Sequence, residues 1–125
     1  MGDQPNRPTE SELEILTALW DLGQGTVREV QAKLGKDRTT VLKLMQIMTE
    51  KGLLMRDENT RPQVFRASQP AERTQRQLLR DLVRRVFGGS SKKLLLHAVK
   101  EAGNLDRREV EEVQALLKKI KKDRA

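Results

Sequence analysis

Few side chains in this 125-residue sequence could carry covalent chemistry. There is no cysteine and a single histidine, His97, so thiol catalysis and disulfides are excluded and a multi-histidine metal site cannot be built. A Ser-His-Asp arrangement would have one candidate base and no convergent partners around it. Gly88-Gly89-Ser90 lacks the lysine and the spacing of a phosphate loop and reads as a turn. No catalytic residue, cofactor or metal is expected, and the chain is not expected to be an enzyme. The suggestive spacing is of another kind. Arg38, Thr39, Thr40, Lys43, Gln46 and Ile47 lie off the apolar stripe of one short amphipathic stretch, and Lys51, Arg56, Arg61 and Arg66 follow it. Guanidinium and ammonium groups suit phosphates, a glutamine amide can pair with adenine, and threonine offers a hydroxyl and a methyl to a base edge. The set reads as a surface for double-stranded DNA.

The distribution of charge agrees with that reading. The formal net charge is +7, yet residues 1–67 hold ten basic and ten acidic side chains, and the surplus lies in residues 68–125. Within the first half, Asp3, Glu10, Glu12, Glu14 and Asp21 crowd the front, whereas Lys33 to Arg66 carries eight bases and four acids. A polyanion would approach the later stretch and avoid the earlier one.

These residues need elements to hold them. Residues 1–8, with two prolines and a glycine, are expected to form a disordered arm. Thr9-Glu10-Ser11-Glu12 is a capping box opening a helix with Leu13, Leu16, Leu19 and Trp20 near one face, ended by Gly23. Thr26-Val27-Arg28-Glu29 is a second box, opening a short helix that stops at Gly35. Asp37 caps a third helix, in which Val41, Leu44, Met45 and Met48 recur at i, i+3, i+4 and i+7. Two strand-length runs follow, Leu53–Arg56 and Gln63–Arg66, around the polar segment 57–62. Three capped helices before one hairpin predict a winged helix-turn-helix domain over residues 9–67. Its third helix would enter the major groove and its hairpin would meet the backbone, with Arg61 at the tip.

Residues 68–125 read as three further helices. Their apolar stripes comprise Leu78, Leu79, Leu82, Val83, Val86 and Phe87, then Leu95 and Val99, then Val110, Val113, Leu116, Leu117 and Ile120. Some 55 residues cannot cover stripes of this width alone, so the segment is expected to be a dimerisation module. The fold class is thus mainly α with a small β-hairpin. Arg73, Arg76, Arg80 and Arg84 on the fourth helix read as a solvated face paired with Glu72 and Asp81. His97 reads as a packed or partly exposed helix residue and Trp20 as a core anchor. No apolar run reaches the ~18 residues of a membrane span, so a cytoplasmic chain without membrane insertion is expected. An alternative stays open at this point: a winged helix used for protein interaction, without base readout.

The ordered runs Pro8–Leu16 through Leu19-Trp20, Thr26–Val30, Arg38–Leu42, Glu50–Leu54, Gln77–Leu82 and Phe87–Ser90 resemble the penicillinase and methicillin-resistance repressor family (BlaI/MecI/CopY) over nearly the whole chain. The resemblance implies a winged-helix transcriptional repressor that binds an inverted-repeat operator as a homodimer. It also implies a membrane sensor-protease that relieves repression by cutting the C-terminal module. The sequence departs from the family where Arg38 replaces an aromatic residue and Ile47 an arginine. It also has no cysteine hook of the copper-sensing branch.

Overall fold

The computed structural model describes residues 7–124, so residues 1–6 of the expected arm lie outside the described residues; Arg7 and Pro8 lead as coil into the first helix. The elements are α1 (Glu10–Leu22), α2 (Val27–Leu34), α3 (Arg38–Glu50), β1 (Leu54–Asp57), β2 (Val64–Ala67), α4 (Ala71–Val86), α5 (Ser91–Glu101) and α6 (Arg107–Asp123). The caps fall where the sequence places them. In α1 the Glu12 N–H donates to Thr9 Oγ1 at 3.2 Å while the Thr9 N–H donates to Glu12 Oε1 at 2.9 Å. Thr26 and Glu29 repeat the arrangement in α2, and Asp106 with Glu109 in α6.

Both strands begin one residue later than their sequence runs. Leu53 is the reason for the first. Gly52 takes φ +83°, and the N–H groups of Gly52 and Leu53 return to the Thr49 and Met48 carbonyls at 3.1 and 2.8 Å. This is a glycine-ended helix C-terminus, and it spends the Leu53 N–H on closing α3, while the Leu53 carbonyl still accepts from the Ser68 N–H at 2.9 Å. The strands pair antiparallel with Met55 opposite Arg66 and Arg56 opposite Phe65. A third segment joins them: Gly25 exchanges backbone hydrogen bonds of 2.9 and 2.8 Å with Phe65. The residue before the α2 N-cap is thereby fastened to the base of the hairpin.

The chain divides into two compact units, Met1–Leu78 and Leu79–Ala125, with the division inside α4. The first contains every buried hydrophobic side chain among the described residues: Ile15, Leu16, Ala18 and Leu19 of α1, Val30 of α2, Val41, Met45 and Met48 of α3, and Leu54 and Phe65 of the hairpin. Trp20 packs against this core and its Nε1 donates to the Gln69 carbonyl at 3.0 Å. Thr74, in the first turns of α4, is buried. This is the winged helix-turn-helix arrangement.

In the second unit no described residue is buried. Of the stripe residues, Leu78 (at the end of the first unit), Val83 and Phe87 are half-buried. The others are exposed, with Val86 at 65%, Val99 at 60% and Leu116 at 58%. The Phe87 and His97 rings lie 5.5 Å apart. All four α4 arginines of the expected face are exposed, and two of them are paired: Arg76 meets Glu72 at 3.5 Å, and Arg84 meets Asp81 at 2.8 Å.

One ion pair ties the first unit together. Glu12 is 2% exposed, and the Lys51 ammonium at the end of α3 donates to both its oxygens at 2.8 and 3.0 Å. Burial pushes the Glu12 carboxyl up, but the Lys51 ammonium and the Thr9 N–H outweigh it and hold it below the ordinary glutamate value. A carboxyl lowered on folding adds stability above its unfolded value. That increment disappears as the pH falls through the folded value, so the loss should begin near pH 4.5 and continue below it. Lys51→Met should cost about 3 kcal/mol at neutral pH, because it strands a buried carboxylate. The variant should also lose less stability between pH 4.5 and 3 than the parent. Urea titrations at several pH values check both; equal midpoints at pH 7 would refute the pairing.

Candidate nucleic-acid interface

Helix α3 buries Val41, Met45 and Met48 and exposes the opposite side. Thr39, Lys43 and Gln46, at i, i+4 and i+7, are all exposed along that side. No carboxylate pairs with Lys43 or Arg38 among the described residues. Ile47 is 37% and Leu42 39% exposed, so two apolar side chains flank the polar row. Glu50 closes the row at its C-terminal end and sets an acidic limit to the surface.

Three of the ten residues selected from sequence have prior engagements. Lys51 is committed to Glu12 in the ion pair just described, so its charge serves the α1–α3 junction rather than a free phosphate-facing surface. Thr40 belongs to the helix cap: its N–H and its Oγ1 both donate to Asp37 Oδ2, at 3.0 and 3.1 Å. Arg56 reaches Glu58 at 3.2 Å. Arg61 and Arg66 are exposed and no carboxylate pairs with them among the described residues. Strand alternation puts Arg66 beside Met55 on one face of the hairpin and Arg56 beside Phe65 on the other, although both border one groove with Gln24, Asp57 and Val64. Elsewhere Lys36 bonds Glu14 at 2.7 Å and Lys33 approaches Asp21 at 3.7 Å. Glu14 and Asp21 of α1 thus neutralise the lysines at and just beyond the end of α2, while Arg28, Arg38, Lys43, Arg61 and Arg66 have no carboxylate partner among the described residues.

Beside α3 lies a groove of about 400 Å³. One wall is the start of α2, with Thr26, Val27 and Arg28; α3 contributes Arg38 and Leu42; the hairpin contributes Pro62, Gln63 and Phe65. The Gly25–Phe65 bridge brings the first and third walls together. Arg28, Leu42, Pro62 and Gln63 escaped the sequence reading, because pairing between residues 25 and 65 is invisible in local periodicity. An arginine in the first turn of a helix, against the macrodipole, was the available signal.

Among the described residues no group of three or more His, Cys, Asp or Glu could hold a metal ion, and no helix is long and apolar enough to cross a membrane. Among solved structures, that of a mutant MarR from E. coli complexed with operator DNA aligns with a TM-score of 0.52 at 17% identity, covering 95% of this chain and 84% of that one. A MarR family transcriptional regulator from Silicibacter pomeroyi DSS aligns with a TM-score of 0.48 at 18% identity, covering 91% and 69%. The former likeness is one of fold, the winged helix. A search of curated proteins finds no match. The sequence profile described as Penicillinase repressor matches residues 8–119. The chain therefore belongs to the penicillinase repressor family, a family of DNA-binding transcriptional regulators.

Proposed function

We propose that the protein is a homodimeric, sequence-specific repressor that binds an inverted-repeat operator and is released by proteolysis or another signal. Residues 9–67 form the DNA-binding domain in this reading and residues 68–125 the dimerisation module. Base readout belongs to the α3 row Thr39, Lys43 and Gln46, with Ile47 offering its methyl groups to thymine. Arg38, Arg61 and Arg66 contact phosphates. The observation that carries the reading is the exposed face of α3, whose cations have no acid partners while the lysines at the end of α2 do. A module built for protein docking has no comparable need to keep that face cationic.

Selection of duplexes from a random pool by the full-length chain, followed by gel-shift titration, tests the proposal. Two half-sites in inverted orientation should emerge, with centres one helical turn or a multiple of it apart. Their affinity should exceed that for random duplex by at least 10³-fold, the low end for specific regulators. Enrichment of no sequence above the starting pool would overturn it.

A further inference from the structure

Arg28 is the second residue of α2 and Arg38 the first of α3. Each helix thus starts with a cation where its dipole favours an anion. No carboxylate pairs with either guanidinium among the described residues. Folding alone gives no return for this arrangement, and both side chains line the same groove. Between them the groove is largely apolar, through Val27, Leu42 and Pro62, with the Gln63 amide at the hairpin side. A surface that alternates cations and apolar patches matches a strand of sugar-phosphate backbone, which alternates anionic phosphates and apolar deoxyribose edges. The groove also borders the exposed row of α3, where such a strand would run if that row faced a major groove.

We infer that the groove seats one DNA strand, and that Arg28 is a phosphate-contacting residue acting with Arg38 across it. The inference rests on the DNA-binding reading above and adds a residue which that reading does not use. The contact carries no base information, so its loss should weaken all duplexes alike.

The test is a salt titration of the full-length chain on a random-sequence 30-base-pair duplex and on a selected operator. Arg28→Ala should lower affinity for both by about tenfold, the size of one charge-assisted hydrogen bond. It should also reduce the slope of log K against log salt by about one unit. Arg28→Glu should bind more weakly still, yet melt at or above the parent, since a carboxylate is favoured in a first helical turn. Lys33→Ala, on the same helix but paired with Asp21, should keep the parental slope. A parental slope for Arg28→Ala would overturn the inference alone. Absence of binding by the parent chain would overturn the DNA-binding reading and the inference with it. A fall in melting temperature for Arg28→Glu, with affinity unchanged, would assign Arg28 a structural role and likewise overturn it.

Discussion

A chain ending at Leu78 is expected to sediment as a monomer and to bind a two-half-site operator about 10²–10⁴-fold more weakly than the full-length protein, the range that linkage of two binding modules confers. The described buried apolar side chains all lie in the first unit, so this fragment keeps its core and should retain the melting transition of that unit. It also keeps the Gln69 carbonyl that receives the Trp20 indole and the buried Thr74. What it loses is a segment whose helices leave Leu95, Val99, Leu116 and Leu117 half or more exposed. Exposed leucines and valines along three consecutive helices are costly in water, at roughly 25 cal/mol for each Å² left uncovered. Neither α5 nor α6 buries a single described side chain, so the second unit by itself leaves those stripes uncovered. A second copy covers them in the reading proposed here. Sedimentation equilibrium of the fragment beside the full-length chain decides: a fragment that dimerises as tightly as the parent would move the dimer interface into the first unit. Within the full-length chain, Leu116→Glu should act in the same direction, placing a carboxylate in the centre of the α6 stripe.

Local rules made much of the fold legible. Thr9, Thr26, Asp37 and Asp106 each announce a helix start by chemistry confined to four residues, and each occupies its cap. The α3 stripe is likewise a matter of period: Val41, Met45 and Met48 are buried, and Leu44 packs half-buried against the same core. Contacts between distant positions were not legible. Nothing in the sequence around Lys51 tells it from Lys43, yet one ammonium lies on a carboxylate 39 residues away and the other is exposed. The acid responsible, Glu12, presents itself locally as an ordinary capping-box residue, and only the packing of α1 against α3 reveals its second bond. The hairpin arginines teach a related lesson. Composition places Arg56 and Arg66 together, whereas the pairing register sends them to opposite faces. Thr40 was a foreseeable exception, because a hydroxyl three residues beyond an Asp N-cap competes for the cap itself.

Removing Lys43 and Gln46 together should abolish most of the discrimination between operator and random DNA, while removing Arg61 should leave discrimination intact. Each good base-edge contact contributes about 1–3 kcal/mol at its position, so Lys43→Ala with Gln46→Ala should lower the specific-to-random affinity ratio on the order of 10²–10³-fold. Both side chains are exposed on the side of α3 opposite Val41, Met45 and Met48, and truncating them removes no core contact, so the melting temperature should hold. Arg61 lies in the polar loop between β1 and β2, and in the DNA-binding reading proposed above it meets phosphates or groove shape. Arg61→Ala should weaken both duplexes by similar factors and lower the salt slope by about one unit. Thr40→Ala should change discrimination little, because its hydroxyl is already bonded to Asp37; its effect should appear instead as a small loss of α3 stability. Titrations of these variants on a selected operator and on random duplex separate the roles. If Thr40→Ala erased discrimination while the Lys43 and Gln46 double variant preserved it, base readout would belong to the first turn of α3, and the cap hydrogen bond would have to open on binding.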